Sequence, residues 1–322
     1  MIRAMLVEEL GGPLRLTEQP EPEPGQVTIA IRRAGVNFPD MLLMQGQYQA
    51  KPPLPFAPGF EVAGEVRAVG PDETRFVPGD RVMASLWYGG YAEAVAVDES
   101  RVFRVPDAVS DEQAAVVPIA YGTGYHALAD RARLEEGETL VVIGASGGVG
   151  LAAVEIGAML GAQVIGCVGA DWKGDAVRAQ GGAHVINTAT EDVRTRVLEI
   201  TNGRGADVVF DPVGGDASEA ALRYLAWRGR LLIIGFTSGR IADLAANRLL
   251  LKGAAAIGVH WGEFAEREPA VNRANFDSIL NWIADGTLRP FVSARYPLDQ
   301  AGDALAALAD RRAVGKLVLE VS

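Results

Sequence analysis

The chain has 322 residues, of which 49% are apolar and 22% charged, a composition that is typical of globular proteins and excludes disordered and fibrous classes. Lys and Arg number 30 against 41 Asp and Glu, which gives a net charge of -11 at pH 7. This balance argues against nucleic-acid and anionic-membrane partners, because both bind basic surfaces. The length predicts two domains.

Cysteine usage and hydropathy indicate a cytoplasmic protein. Cys167 is the only cysteine, so an internal disulfide is impossible and a zinc site built from cysteines is not expected. The most apolar stretch, 241–259, contains three charged residues and is not expected to cross a membrane. At the N-terminus, Glu8 and Glu9 precede any signal-peptide core. We therefore expect a reducing compartment and no membrane partner.

Residues 1–118 are predicted to form a small β-rich domain. Short β-type runs at 26–31, 61–69, 81–86 and 91–97 alternate with Gly and Pro, which mark turns. The segment 51–58 contains four prolines and is predicted to be a stiff loop, because each proline fixes φ and lacks an N–H donor.

The pattern then changes to helices that alternate with short apolar runs, as expected of strands covered on both faces. A helix is predicted at 111–134. Strands are predicted at 139–143, 163–168, 184–186, 207–210, 230–234 and 254–259, and helices between them at 149–160, 192–200 and 217–227. This alternation predicts an α/β domain with a doubly wound parallel sheet. The tail, with a helix at 275–284, a strand at 291–296, a helix at 301–310 and a strand at 316–321, is predicted to fold back onto the first domain.

The strongest chemical signal is the sequence GASGGVG at 144–150, which follows a predicted strand and opens a predicted helix. A dinucleotide-binding turn requires this placement. Glycines let the backbone approach a pyrophosphate, Gly150 lets the helix pack on the strand, and free N–H groups at the helix start face the anion. The spacing Gly-x-x-Gly-x-x-Gly is not the commoner one, so a tight turn without a ligand stays the alternative.

The end of the second strand predicts the choice of cofactor. An NAD enzyme usually has an acid there for the ribose 2′-hydroxyl, whereas Gly169 and Ala170 leave space for a phosphate. Lys173 could pair with a 2′-phosphate or be a solvated surface charge, and Asp171 could be the acid shifted along the chain. We favour NADPH, with NADH possible.

Three more strand ends should face the cofactor, because ligands lie beyond the carboxyl ends of parallel strands. They comprise residues 211–215, 235–238 and 258–260. Each is a turn after a strand, so a purely structural role stays open for each.

Five motifs together resemble the medium-chain dehydrogenase/reductase superfamily, and within it the zinc-free quinone oxidoreductase (zeta-crystallin-like) group. They are AGVNFPD (34–40), PGFEVAG (58–64), GDRV (79–82), the 144–150 turn and GKLVL (315–319). The resemblance implies an α/β protein with a GroES-like β-rich catalytic domain (1–118 and 259–322) and a Rossmann dinucleotide-binding domain (119–258).

The departures from the family pattern predict that no zinc is bound. Zinc-dependent members of the superfamily carry a cysteine at the position of Asn37 and a histidine at the position of Phe60. Without these ligands zinc cannot be held tetrahedrally. Cys167 lies in a predicted buried strand and cannot replace them, and the four-cysteine lobe of the structural zinc is missing as well.

Without a Lewis acid, oxidising an unactivated alcohol is hard, because nothing lowers the pKa of the hydroxyl. A quinone or an α,β-unsaturated carbonyl accepts hydride directly, so the protein needs to hold the nicotinamide against the acceptor and exclude water. The predicted enzyme is therefore an NADPH:quinone oxidoreductase-like reductase of a small, apolar electron acceptor.

Two residues are predicted to be catalytic. Tyr48 aligns with a family tyrosine near the cofactor and either gives a hydrogen bond or a proton to the substrate oxygen or only packs. Asn37 either bonds the ribose or the substrate carbonyl or is a turn residue. The full set expected to bind the cofactor is Asn37, Tyr48, Thr123, Ser146, Gly147, Gly148, Val149, Gly169, Lys173, Thr188, Gly235, Phe236, Thr237, Ser238, Gly258, Val259 and His260.

Two other functions stay open. Arg240, Arg267 and Arg273 could bind the phosphates of a coenzyme A thioester, so the protein could be an enoyl-thioester reductase. A protein of another class, one that binds NADPH for a structural or RNA-binding role, is disfavoured by the negative charge. We also expect a homodimer, because 254–259 would be an apolar edge strand and the family joins its Rossmann sheets edge to edge.

Overall fold

The computed structural model describes residues 1–23, 27–70 and 74–321. The chain divides into two compact units, unit 1 (Met1–Ile119 and Phe276–Ser322) and unit 2 (Ala120–Asn275). The sequence predicts the second boundary at 259. The chain remains in unit 2 beyond that point because Phe264 is buried there and stacks on His126, with ring centroids 3.8 Å apart.

The strands are β1 (Ile2–Val7), β2 (Leu14–Gln19), β3 (Val27–Val36), β4 (Glu61–Val69), β5 (Arg81–Ser85), β6 (Ala94–Val97), β7 (Val102–Arg104), β8 (Thr139–Val142), β9 (Gln163–Val168), β10 (His184–Asn187), β11 (Ala206–Asp211), β12 (Leu225–Ile233), β13 (Ala255–Gly258), β14 (Val292–Pro297) and β15 (Lys316–Glu320). The α-helices are α1 (Phe38–Met44), α2 (Asp111–Ala114), α3 (Gly122–Tyr125), α4 (Gly148–Met159), α5 (Gly174–Ala179), α6 (Val193–Ile200), α7 (Asp216–Tyr224), α8 (Ala246–Lys252), α9 (Trp261–Arg267), α10 (Pro269–Ala284) and α11 (Ala301–Ala309).

In the described part of unit 1, the main sheet has seven strands in the order β14-β15-β3-β4-β5-β7, with β6 also paired to β3. β14 and β15 are parallel, and the other pairs are antiparallel. β15, at the end of the chain, pairs with β3 near its start, as the sequence predicted for the tail. Because β3 leads directly into α1, this pairing fixes the place where α1 begins.

All residues of unit 2 are described, and its six strands form one parallel sheet in the order β10-β9-β8-β11-β12-β13. In chain order this is third, second, first, fourth, fifth and sixth, the doubly wound order that brings nucleotide-binding loops to one edge. The central strands β8 and β11 are almost wholly buried, which explains the apolar runs at 140–142 and 208–210. The predicted fold class is confirmed.

Several predicted element boundaries were wrong. The helix expected at 111–134 is broken into α2, α3 and two π-helical segments, Val117–Tyr121 and His126–Arg131. The helix expected to reach residue 227 ends at Tyr224, because the chain enters β12 at Leu225 and pairs with β11 from there. Four helices, α1, α5, α8 and α9, had no counterpart among the predicted ranges.

Candidate functional site

The glycine-rich turn of unit 2 lies between β8 and α4, as predicted. Gly144 has φ +63°, a backbone conformation that favours glycine. A Cβ on Gly150 would lie 2.3 Å from the carbonyl oxygen of Gly144, so no other residue allows the helix to start this close to the turn. The first N–H groups of α4, from Gly148 onward, have no acceptor within the helix. The turn can therefore receive an anion such as a pyrophosphate.

The loops after β11 and β12 are joined at the carboxyl edge of the same sheet. The buried Asp211 carboxylate accepts hydrogen bonds from the backbone N–H groups of Val213 (2.8 Å) and Gly214 (3.0 Å). The N–H of Thr237 donates to Pro212 O (3.1 Å), and the N–H of Ser238 donates to Val213 O (2.9 Å). The structure thus brings the loop 235–238 against the loop 212–214 through backbone bonds.

The remaining predicted strand-end residues lie at the same edge of the sheet. Val259 follows β13, and its N–H donates to Ile233 O at 3.0 Å. Gly258 and His260, on either side of it, are exposed. At the other end of the sheet, Thr188 follows β10, and both its N–H and its hydroxyl donate to Val168 O. Each predicted position is therefore on a loop that a parallel strand delivers to this edge.

The tip of β9 combines open space with two opposite charges. A Cβ on Gly169 would meet no atom of the described residues within 4 Å. The exposed Asp171 accepts a hydrogen bond at 2.8 Å from the side-chain amide of Asn187. The Lys173 ammonium lies 5.2 Å from the ring centroid of Trp172. Asn187 was not among the predicted site residues, because the predicted strand ended one residue before it.

Thr123 is placed by the packing of α3 on α4. A Cβ on Gly124 would lie 3.0 Å from Cδ1 of Ile156, so the two helices are in close contact there. The Tyr121 hydroxyl donates a hydrogen bond to the buried carboxylate of Glu155 in α4. Burial, followed by the Glu155 charge, raises the pKa of Tyr121 well above its ordinary value. The segment that carries Thr123 is therefore fixed to the helix that starts at the glycine turn.

In unit 1, a buried carboxyl group organises the start of α1. Asp40 accepts hydrogen bonds from the N–H of Asn37 (2.7 Å), the N–H of Gly59 (2.9 Å) and the hydroxyl of Tyr91 (2.9 Å). Burial raises the pKa of Asp40 to about 7, although these three donors and the charge of Lys316 lower it. Asp40 thereby connects α1 to the loop at Gly59, a contact that the AGVNFPD motif alone does not predict.

Asn37 belongs to a second buried group that includes an ion pair. The Lys316 ammonium lies 2.7 Å from Oε1 of Glu61 and donates to Oδ1 of Asn37 at 2.6 Å. The Asn37 amide nitrogen donates to the same Glu61 oxygen at 3.0 Å. A Cβ at position 35 would lie 2.3 Å from this oxygen, so the glycine there makes room for the carboxylate. The whole Asn37 side chain thus has partners inside unit 1.

Tyr48 packs edge-on against Phe60, with ring centroids 5.1 Å apart and an interplanar angle of 79°. Phe60 is buried and Tyr48 is partly exposed. Burial, followed by the charge of Asp40, raises the pKa of Tyr48 above its ordinary value. Tyr48 therefore presents a neutral phenol at neutral pH, which can donate a hydrogen bond.

The two positions that carry zinc ligands in the zinc-dependent members are Asn37 and Phe60, and both side chains have other partners here. Asn37 is hydrogen-bonded to Lys316 and Glu61, and Phe60 packs against the Tyr48 ring. Cys167 is buried in β9, which raises its pKa to about 12. In the part of the chain that the structure describes, no three His, Cys, Asp or Glu side chains are grouped so that they could hold a metal ion. Among the described residues, no helix has the length and apolarity needed to cross a membrane.

Two family models match the chain. The model of the alcohol dehydrogenase GroES-like domain matches residues 23–107, and that of the zinc-binding dehydrogenase matches residues 180–319. The first match falls in unit 1, and the second begins in unit 2 and ends in unit 1. The two matches agree with the resemblance that the motifs had indicated.

Individual relatives match over nearly the whole chain. A quinone oxidoreductase-like protein 2 homolog of Nematostella vectensis is 37% identical, over 98% of this chain and 88% of the relative. A quinone oxidoreductase of Pseudomonas aeruginosa is 37% identical, over 93% of this chain and 92% of the relative. Among solved structures, a mycobacterial protein complexed with NADPH is 32% identical and covers 100% of both chains, with a TM-score of 0.93.

Proposed function

This chain belongs to the zinc-free quinone oxidoreductase group of the medium-chain dehydrogenase/reductase superfamily, and we propose that it is an NADPH-dependent reductase of quinones or α,β-unsaturated carbonyls. The observation that carries this proposal is the edge of the unit 2 sheet, where the glycine turn, Gly169 and the strand-end loops leave backbone donors and open space for a dinucleotide. The NADPH complex of a relative with the same fold supports the choice of cofactor.

Bound NADPH would supply a hydride, with its two electrons, to a carbon of the acceptor, and the negative charge left on the acceptor oxygen would be balanced by a proton from solvent. For their part, the N–H groups at the start of α4 neutralise the pyrophosphate charge. The segment of Thr123, held by the Tyr121–Glu155 bond, is proposed to position the nicotinamide end. Lys173 is proposed to hold the 2′-phosphate.

Tyr48 is proposed to donate a hydrogen bond to the acceptor oxygen as negative charge develops there. Its raised pKa keeps the phenol protonated at neutral pH, so it is a donor in the resting protein. The partners of Asn37 favour a positioning role at the start of α1 over direct contact with the substrate carbonyl.

We propose that the reaction needs no zinc. The description of one family model names zinc, but Asn37 and Phe60 stand where its zinc-dependent members have a cysteine and a histidine. The Asn37 amide cannot replace the thiolate of the cysteine, and the Phe60 ring cannot replace the imidazole of the histidine. Elemental analysis of the purified protein is expected to give far less than one zinc per chain, and a stoichiometric metal would contradict this part of the proposal.

The activity test compares three acceptors. The rate of NADPH oxidation is measured with 1,4-benzoquinone, 9,10-phenanthrenequinone and crotonyl-CoA. We expect turnover with at least one quinone and little with the thioester, because two of the arginines considered for its phosphates are already paired with acids, Arg240 with Asp216 and Glu219 and Arg267 with Glu263. Turnover with crotonyl-CoA alone would assign an enoyl-thioester reductase. Binding of NADPH and of RNA at low salt, without turnover of any acceptor, would assign the non-enzymatic class.

We further propose a homodimer in which β13 pairs with β13 of a second copy. β13 is the edge strand of the sheet, and nearby side chains on β12 and α8 are apolar and exposed: Trp227 by 69%, Leu250 by 80% and Leu251 by 75%. Such an edge is normally covered. Sedimentation is expected to give a dimer at micromolar concentration, and Leu250→Asp to weaken it; a monomeric wild type would contradict the proposal.

We place the enzyme in a reducing compartment such as the cytoplasm. Its one cysteine, Cys167, is buried with a pKa of about 12, so the protein has neither a disulfide nor a reactive thiol that would call for an oxidising environment. A fusion with a fluorescent protein, imaged in cells, is expected to give a diffuse cytoplasmic signal.

A further inference from the structure

Asp171, at the tip of β9, is held by the neighbouring strand. The Nδ2 of Asn187, the last residue of β10, donates to Oδ1 of Asp171 at 2.8 Å. Asp171 is exposed, whereas Asn187 is only 7% exposed. A buried amide is therefore bonded to a surface carboxylate at the edge where the adenosine ribose is expected.

The Asn187 amide has one orientation that satisfies its neighbours. The side-chain Oδ1 accepts a hydrogen bond from the backbone N–H of Ala189 at 3.0 Å. The backbone N–H of Asn187 donates to the Glu191 carboxylate at 2.9 Å. Turning the amide over would direct Nδ2 at the Ala189 N–H and place two donors face to face. Because Oδ1 must face Ala189, Nδ2 must face Asp171.

The other side of the β9 tip is open. A Cβ on Gly169 would meet none of the described atoms within 4 Å, and Lys173 lies in the turn that follows. A 2′-phosphate carries nearly two negative charges, so it is attracted by Lys173 and repelled by any carboxylate that turns toward it. The direction in which Asp171 is held thus decides whether this space suits a phosphate.

Resting on the proposed use of NADPH, we propose that Asn187 is a positioning residue for cofactor choice. It holds the Asp171 carboxylate against β10 and keeps this charge away from the space beside Gly169, which receives the 2′-phosphate. Asn187 itself makes no contact with the cofactor in this scheme. Its effect on NADPH passes through Asp171, and this is what the experiment tests.

The test measures dissociation constants of NADPH and NADH, and of adenosine 2′-monophosphate and adenosine 5′-monophosphate, by calorimetry. Asn187→Leu keeps the branching at Cγ and removes both the amide donor to Asp171 and the acceptor of the Ala189 N–H. We expect NADPH and the 2′-monophosphate to bind about tenfold more weakly, which corresponds to about 1.4 kcal/mol, while NADH and the 5′-monophosphate change less than about twofold. In an Asp171→Asn background, the same substitution is expected to leave the NADPH to NADH ratio unchanged.

An unchanged ratio in a folded Asn187→Leu protein, or an equal shift in both backgrounds, would overturn the proposal. A loss confined to NADH would do so too, since it would make Asp171 the acid that binds the ribose hydroxyl. If Asn187→Leu does not fold, the Asp171→Asn variant alone tests the proposal. Because the Asp171 carboxylate is already held away from the phosphate, its removal is expected to change the NADPH to NADH ratio less than about threefold. A larger gain in NADPH affinity would contradict the proposal. A wild type that binds neither NADPH nor the 2′-monophosphate would instead overturn the proposed function itself.

Discussion

The two units provide their candidate site residues in different ways. In unit 2, residues adjacent in sequence supply backbone N–H groups and open space at the ends of parallel strands. In unit 1, Asn37, Glu61 and Lys316 are buried side chains that satisfy one another across 279 and 255 residues of sequence. The unit 2 edge therefore leaves backbone donors and space for the proposed cofactor, whereas the polar residues of unit 1 mainly hold the backbone that carries Tyr48 and the start of α1.

This difference predicts different responses to substitution. A buried charge pair that loses one member costs stability, because the other charge remains in an apolar environment. An exposed residue at a strand end costs little stability, and its loss is seen in ligand affinity. Substitutions in unit 1 should therefore change the free energy of unfolding most, and those at the edge of unit 2 should change the dissociation constant of NADPH.

The largest effect is expected from Lys316→Met. Methionine keeps an unbranched side chain of nearly the same length but leaves the fully buried Glu61 carboxylate without its cation. We expect the free energy of unfolding to fall by about 3–5 kcal/mol, measured by urea denaturation followed by circular dichroism.

The matched control for that variant is the double substitution Glu61→Gln with Lys316→Met, which removes both charges. It should recover at least half of the loss, because a neutral amide is far less costly to bury than an unpaired carboxylate. If the double variant were as unstable as the single one, packing of the lysine stem would explain the loss, and the electrostatic account of unit 1 would be wrong.

The next largest effect is a pH dependence that originates at Asp40. Its pKa is raised by burial from 3.8 to about 7, so in the range between these values the folded state binds a proton that the unfolded state has lost. Stability from this group is therefore complete below the unfolded pKa and is lost as the pH rises through 7. Between about pH 5 and about pH 8 the free energy of unfolding is expected to fall by roughly 2–3 kcal/mol.

Asp40→Asn tests this origin, since an amide does not titrate. The variant loses one acceptor and is expected to be less stable at acidic pH, but its melting temperature should vary less than that of the wild type over the same pH range. Equal slopes for the two proteins would assign the pH dependence to other groups.

Gly150→Ala should affect unit 2 by a steric route. The new Cβ would lie 2.3 Å from Gly144 O, so α4 must shift away from the turn. We expect a loss of about 1–3 kcal/mol in the free energy of unfolding and weaker NADPH binding, measured by calorimetry. Gly302→Ala in α11 is the control: its Cβ would meet none of the described atoms within 4 Å, and alanine is the better helix former. Equal losses in the two variants would contradict the close approach at Gly150.

The sheet of unit 2 was predictable because each strand is a short apolar run between turns. β9 was predicted at both ends, and the turn at 144–150 was placed correctly between β8 and α4. Buried parallel strands and a glycine turn are local patterns, so neighbouring residues suffice to identify them.

The side-chain network of unit 1 was not predictable in the same way. Glu61 and Lys316 each belong to one of the motifs, but neither motif predicts that these two side chains form an ion pair. One signal was present: Lys316 begins a predicted strand and is followed by three apolar residues, and a lysine in a buried strand needs an acid nearby. Which acid it meets depends on β15 lying beside β3, a pairing of distant segments.

The smallest effect is expected from Lys173→Ala, which tests whether the edge of unit 2 acts through ligand affinity alone. Lys173 is partly exposed, so its loss should leave the melting temperature nearly unchanged. Removing the charge that is proposed to hold the 2′-phosphate is expected to raise the dissociation constant of NADPH about tenfold, and NADH, which lacks this phosphate, serves as the internal control. The NADPH effect should shrink with added salt, because the pair is exposed to solvent. Equal weakening of both cofactors would show that Lys173 supports the loop rather than the phosphate, and the contrast between the two units would then be smaller than the structure suggests.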